Sequence, residues 1–123
     1  MSRMKIERFE DIEAWKRARE LVRSLYRVTN EGSLAKDYGL RDQLRRASVS
    51  IMSNIAEGFS RQTDKEFIQF LYVAKGSASE VQSQLYVALD LEYISRTAFD
   101  TLYELSDETI RLISGFIRYL KGS

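Results

Sequence analysis

Five polar residues, Arg46, Ser50, Asn54, Glu57 and Arg61, follow one another at spacings of 4, 4, 3 and 4. That rhythm lines them along one edge of an α-helix. An arginine beside a carboxylate can move its pKa in either direction. Glu57 together with Glu80 would supply the two carboxylates needed for acid–base hydrolysis or for holding magnesium. Two carboxylates alone are a weak signature of such chemistry. The simpler reading is structural: Asn54 and Ser50 bond across a bundle to Ser77 or to backbone carbonyls, and Glu57 pairs with Arg61 or Arg46. Buried polar contacts of this kind can set helix register or oligomeric state.

A second set of residues is cationic. Lys16, Arg23 and Arg27 fall within about 40° of one another on a helical wheel, with Arg19 nearby, roughly 130° from the expected apolar stripe. Arg41 and Arg45 lie on the outer side of the following helix. Cations at this spacing can track phosphates and would make binding salt-dependent. Glu20 and Asp42 interrupt the lines, which favours a solvated charged face. No aromatic residues interleave these arginines as in single-strand binders, so any nucleic-acid contact is expected to be backbone-directed.

The elements that must position these groups are four amphipathic helices. The first is expected from about Phe9 to Thr29, with Ile12, Trp15, Ala18, Val22, Leu25 and Thr29 inward, and Asn30-Glu31-Gly32-Ser33 turns the chain. The second runs from about Asp37 to Phe59, with Leu40, Leu44, Ala47, Ile51, Ile55 and Gly58 inward. Thr63-Asp64-Lys65-Glu66 reads as a capping box for the third. Its inward set is Phe67, Phe70, Leu71, Ala74, Ala78, Val81, Leu85, Ala88 and Leu91. Ser95 or Thr97 caps the fourth, which turns Phe99, Leu102, Ser106, Thr109, Ile113, Phe116 and Leu120 inward. Connections this short predict an antiparallel up-and-down four-helix bundle, all-α, as a single domain over residues 1–123.

The third helix is apolar around most of its circumference. Tyr72, Val73, Tyr86, Val87, Tyr93 and Ile94 exceed what one core stripe needs, and they are the expected interface of a homo-oligomer. Ala74, Gly76, Ser77, Ala78 and Ser79 form a small-residue block that would let another backbone approach closely. Trp15 and Tyr26 border the first helix's core face, and Tyr38 and Phe59 flank the second, as packing anchors.

Composition narrows the chemistry further. The chain of 123 residues is 44% hydrophobic and 30% charged, which marks an ordinary globular protein. It has no proline to break its helices, and no cysteine or histidine. Thiol nucleophiles, Cys/His zinc sites, Ser-His-Asp triads and Glu-x-x-His di-metal sites are therefore excluded. No cofactor or metal is expected. The opening Met1-Ser2-Arg3-Met4-Lys5-Ile6-Glu7-Arg8 lacks a signal-peptide core and no run is long enough to span a membrane, so a cytoplasmic protein is expected. Residues 1–61 carry 13 basic against 9 acidic side chains and residues 62–123 carry 6 against 9, a net +4 beside −3. Such asymmetry suits a nucleic-acid face or the pairing of helices and subunits by charge.

Three segments together carry a family resemblance: Trp15-x-x-Ala18; Tyr38-Gly39-Leu40-x-x-Gln43-x-x-Arg46-Ala47-x-x-Ser50-Ile51-x-x-Asn54-Ile55-Ala56-Glu57-Gly58; and Phe70-Leu71-x-x-Ala74-x-Gly76-Ser77-x-x-Glu80. The chain resembles the four-helix bundle proteins encoded in intervening sequences of bacterial 23S ribosomal RNA genes, over nearly its whole length. It is more distantly similar to the accessory variability proteins of diversity-generating retroelements. Family members often carry prolines before the second helix and after the Ser-Ile pair, where this chain has Ser33-Leu34-Ala35-Lys36 and Met52. The resemblance implies a ring-like homopentamer without known catalytic activity. It also implies RNA association for the ribosomal branch, and for the retroelement branch nucleic-acid binding and association with a reverse transcriptase.

Overall fold

Four helices follow one another in the computed structural model, which describes residues 6–122. They are α1 (Glu13–Val28), α2 (Tyr38–Phe59), α3 (Asp64–Asp90) and α4 (Arg96–Gly122), with 3₁₀ turns at Phe9–Asp11 and Leu34–Lys36. Residues 1–5, the start of the stretch searched for a signal peptide, lie outside the described residues. Among the described residues no helix is long and apolar enough to cross a membrane.

Local chemistry sets the boundaries. Asp37 caps α2 by accepting the Leu40 amide at 3.2 Å, which offsets one of the unpaired donors at a helix start. Thr63 Oγ1 accepts the Glu66 amide at 3.1 Å and its hydroxyl donates to Glu66 Oε1, so only one leg of the expected capping box forms. Of the two candidate caps for α4, Ser95 serves: its Oγ accepts the Ala98 amide at 3.0 Å. The first helix starts later than expected, because Phe9–Asp11 turns as a separate 3₁₀ unit and Ile12 is extended.

The helices alternate in direction. Cross-helix partners run in reversed order, Gln43 with Gln84 and Ser50 with Ser77 between α2 and α3, and Phe67 with Phe116 and Tyr86 with Phe99 between α3 and α4. Helix α1 closes the ring against α2 and α4, giving an all-α up-and-down four-helix bundle.

The core holds Leu21, Leu25, Leu44, Ile51, Ile55, Phe67, Leu71, Val81, Leu85, Leu102 and Ile113, all essentially sealed. On α1 the buried stripe is Ala14, Ala18, Leu21 and Leu25, rotated from the expected one, so Trp15 and Val22 are only half-buried. Trp15 instead packs edge-on to Phe9, ring centres 5.2 Å apart. Gly58 sits where α2 meets the start of α3, and a Cβ there would lie 2.7 Å from Phe67 Cδ1 and 2.8 Å from Phe70 Cβ. The small-residue block divides: Ala74, Ser77 and Ala78 are buried in the bundle, whereas Gly76 and Ser79 face outward and nothing lies within 4 Å of a Cβ built on Gly76.

Candidate functional site

The polar ladder forms a seam between α2 and α3. Ser50 and Ser77 share a hydrogen bond of 3.0 Å between their hydroxyls. Asn54 does not cross the bundle: its Nδ2 donates to the Ser50 carbonyl at 2.8 Å and to Ser50 Oγ at 3.0 Å. Glu57 pairs with Arg61 at 2.8 Å, and the Arg61 guanidinium also lies over Phe70, 4.7 Å from its centroid. Arg46 is exposed and, like Glu80, lies on the solvent side of the seam.

Gln84 extends this seam beyond the residues singled out from sequence. It is 8% exposed, and its Nε2 makes long contacts to Gln43 Oε1 at 3.5 Å and Glu80 Oε2 at 3.4 Å. Its Oε1 is buried without a partner among the described residues. A glutamine one turn from Glu80 on a helical edge was the available signal.

Glu57 and Glu80 do not meet. With Gly58 packed on Phe67 and Phe70 and Ser50 on Ser77, Glu57 lies opposite the first turns of α3, about 15 Å along the helix from Glu80. The register therefore separates the two carboxylates that a hydrolytic or magnesium site would need together.

The cations fall into two groups. Lys16, Arg23 and Arg27 project from α1 opposite its buried stripe and are exposed. Lys16 pairs with Glu13 at 3.2 Å, while Arg23 and Arg27 meet no carboxylate among the described residues. Arg19, Arg41 and Arg45 stack on aromatic rings. Arg19 lies 5.7 Å from the Trp15 centroid, Arg41 4.8 Å from Tyr38 and Arg45 4.5 Å from Tyr26. Arg45 Nε also donates to Thr29 Oγ1 at 2.8 Å, tying α2 to the end of α1. Arg41 Nη1 donates to the Ala35 carbonyl at 3.2 Å and its Nε to Asp42 at 3.0 Å. The expectation that no aromatics interleave these arginines is corrected: the pairing is made by side chains one turn apart, and for Arg45 by a neighbouring helix.

The six apolar residues expected at a subunit interface do not form one patch. Tyr86 turns toward α4, with its ring centre 4.9 Å from Phe99 and 5.8 Å from Tyr103, and Tyr72 accepts a bond from Lys121 Nζ at 2.9 Å. That ammonium holds the Tyr72 phenol below the usual range. Val73 and Val87, like these two tyrosines, remain about half exposed. Tyr93 and Ile94 pack partly against the core. The Tyr93 hydroxyl donates to Asp37 Oδ2 at 3.0 Å, and this bond to a carboxylate pushes its pKa up.

Comparison with known proteins agrees with this architecture. The structure is similar to the crystal structure of a protein of unknown function from the S23 ribosomal protein family of Bacteroides thetaiotaomicron. The TM-score is 0.78, with 24% identity over 85% of this chain and 98% of that one. At that identity the likeness establishes the fold. Among curated proteins none matches significantly. The family model described as 23S rRNA-intervening sequence protein matches residues 10–115, a span that begins before α1 and reaches well into α4. The chain belongs to the 23S rRNA-intervening sequence protein family.

Proposed function

We propose that this protein is a non-enzymatic, self-associating helical bundle of the cytoplasm that contacts nucleic acid through its α1 cations. The observation that carries the reading is the pair Arg23 and Arg27, one turn apart on the outer face of α1, exposed and with no acidic partner among the described residues, beside Lys16 and Arg19. A guanidinium that satisfies no internal carboxylate is available to a phosphate. The separation of Glu57 from Glu80 supports a non-enzymatic role. Self-association into a ring, a homopentamer by family resemblance, would multiply a weak monomer contact through avidity.

Anisotropy titrations of a mixed-sequence RNA or DNA at two salt concentrations test this. Three phosphate contacts on a single strand correspond to an affinity loss of about 20-fold between roughly 50 and 200 mM salt. Arg23→Glu with Arg27→Glu should abolish binding. No binding by the unaltered protein at low salt removes the reading.

A second reading is favoured by Tyr72, Val73, Tyr86 and Val87, which stay about half exposed: an adaptor that recruits a protein, such as a reverse transcriptase, without touching nucleic acid. Light scattering separates self-association from a solitary chain by a mass several times 14.3 kDa.

A further inference from the structure

Three guanidinium–ring pairs share one side of the bundle. Trp15, Arg19 and Tyr26 follow a single stripe of α1, at spacings of 4 and 7, which keeps them on one edge. Tyr38, Arg41 and Arg45 follow a single stripe of α2 at spacings of 3 and 4. Arg45 joins the two stripes, since its guanidinium lies over Tyr26 while its Nε holds Thr29 at the end of α1. The result is three guanidinium–ring pairs spaced along the α1–α2 face, in the order Trp15–Arg19, Tyr26–Arg45 and Arg41–Tyr38.

These rings are accessible. Tyr26 is 42% and Tyr38 63% exposed although each has a guanidinium over one face of its ring, so both side chains reach solvent on the side the arginine leaves uncovered. The face is also strongly cationic. Arg19, Arg41 and Arg45 line it, opposed by Asp42, which pairs with Arg41, while Glu20 beside Arg19 pairs with Arg17. A peptide could use the charge or the rings. A polyanion carrying planar π-systems uses both at once, and only an unpaired strand offers its base faces, because a duplex buries them in its own stack.

We propose that the α1–α2 face is a stacking track for single-stranded nucleic acid, with bases against Tyr26 and Tyr38 and phosphates on the intervening arginines. This rests on the nucleic-acid reading above and narrows it to unpaired strands. Trp15 and Tyr26 stand about 16 Å apart along α1, so the strand spans the track with several nucleotides and stacks at separated points. Recognition is by π-face and charge, and is tolerant of base sequence.

The chain's single tryptophan lies on the track, so its fluorescence reports occupancy. A single-stranded oligonucleotide and the duplex of the same sequence are titrated separately at low salt. The track predicts at least tenfold tighter binding of the single strand, with quenching of Trp15. Tyr38→Ala, at the more exposed ring, should weaken single-strand binding about tenfold without changing its salt slope. Tyr26→Phe, which keeps a ring, should bind normally. Equal affinity for the duplex, or an unchanged affinity in Tyr38→Ala, overturns the track and leaves the phosphate-contact reading standing. Failure of both probes to bind overturns the two together.

Discussion

The Tyr93 hydroxyl donates to Asp37 Oδ2 at 3.0 Å while Asp37 Oδ1 accepts the Leu40 amide at 3.2 Å. One carboxylate therefore caps α2 and clamps the α3–α4 turn to it, across 56 residues of sequence. Asp37→Ala removes both functions and should cost more than about 1 kcal/mol, the usual worth of a cap alone. Tyr93→Phe removes only the clamp and should lower the urea midpoint by less. Equal effects of the two variants in equilibrium unfolding would contradict this division.

Two glycines should respond oppositely to alanine. A Cβ at Gly58 would come within 2.8 Å of Phe67 and Phe70 atoms, so Gly58→Ala forces the start of α3 to shift and should destabilise by about 1–3 kcal/mol. Gly76 is within a helix and faces outward, with open space around it. Gly76→Ala should stabilise by about 0.5–1 kcal/mol through helix propensity. Thermal melts of the two variants that moved in the same direction would refute the assignment.

The α3–α4 turn holds a residue in an unfavourable conformation. Glu92 has φ of 59°, Tyr93 N donates to the Ala88 carbonyl and Glu92 N to the Leu89 carbonyl, both at 2.9 Å. This is the pattern of a Schellman cap, whose left-handed position favours glycine. Glu92→Gly should stabilise by about 1 kcal/mol, and a lower melting midpoint would show that the glutamate side chain contributes more than its backbone costs.

Periodicity made the bundle legible because most of the inward sets expected on α2, α3 and α4 are buried, and Thr63 and Ser95 are chemically marked as caps. Leu91, expected inward on α3, is instead 52% exposed because it lies at the C-cap where the chain turns. Periodicity misjudged α1, where Ala14 and Leu21 compete with Trp15 and Val22. Both sets are apolar, so spacing alone cannot choose between stripes rotated by tens of degrees. The Ser50–Ser77 bond was readable from the ladder. The partner of Asn54 was not, since an amide one turn from a serine can bond along its own helix as readily as across. The Trp15–Arg19 and Tyr38–Arg41 pairs were present as i,i+4 and i,i+3 spacings, whereas the Arg45–Tyr26 and Asp37–Tyr93 pairs depend on tertiary packing.

Two tyrosines should titrate at opposite ends of the phenol range. Lys121 holds the Tyr72 pKa down and Asp37 holds that of Tyr93 up. A raised folded pKa means that the Tyr93 clamp stabilises fully below the unfolded phenol's pKa, near 10, and is lost as pH rises through the folded value. The lowered Tyr72 value has the opposite sign, with its contribution present above the unfolded pKa and lost as pH falls through the folded one. In absorbance titrations Tyr72→Phe should remove an early ionising component and Tyr93→Phe a late one. The reverse order would overturn both assignments.

Within the α2–α3 seam, Ser50 should matter more than Asn54. Ser50 Oγ bonds Ser77 across the helices and also accepts from Asn54, so Ser50→Ala strips a partner from each. Asn54→Ala leaves the Ser50–Ser77 link in place and removes bonds confined to α2. A double-mutant cycle of Ser50→Ala and Ser77→Ala should give a coupling of about 0.5–1.5 kcal/mol, the net worth of one hydrogen bond between partly buried hydroxyls. Asn54→Leu should then lower stability modestly while leaving the mass measured by light scattering unchanged. A change of mass in that variant with negligible Ser50–Ser77 coupling would make Asn54, and not the serine pair, the residue that sets how the helices and their copies align.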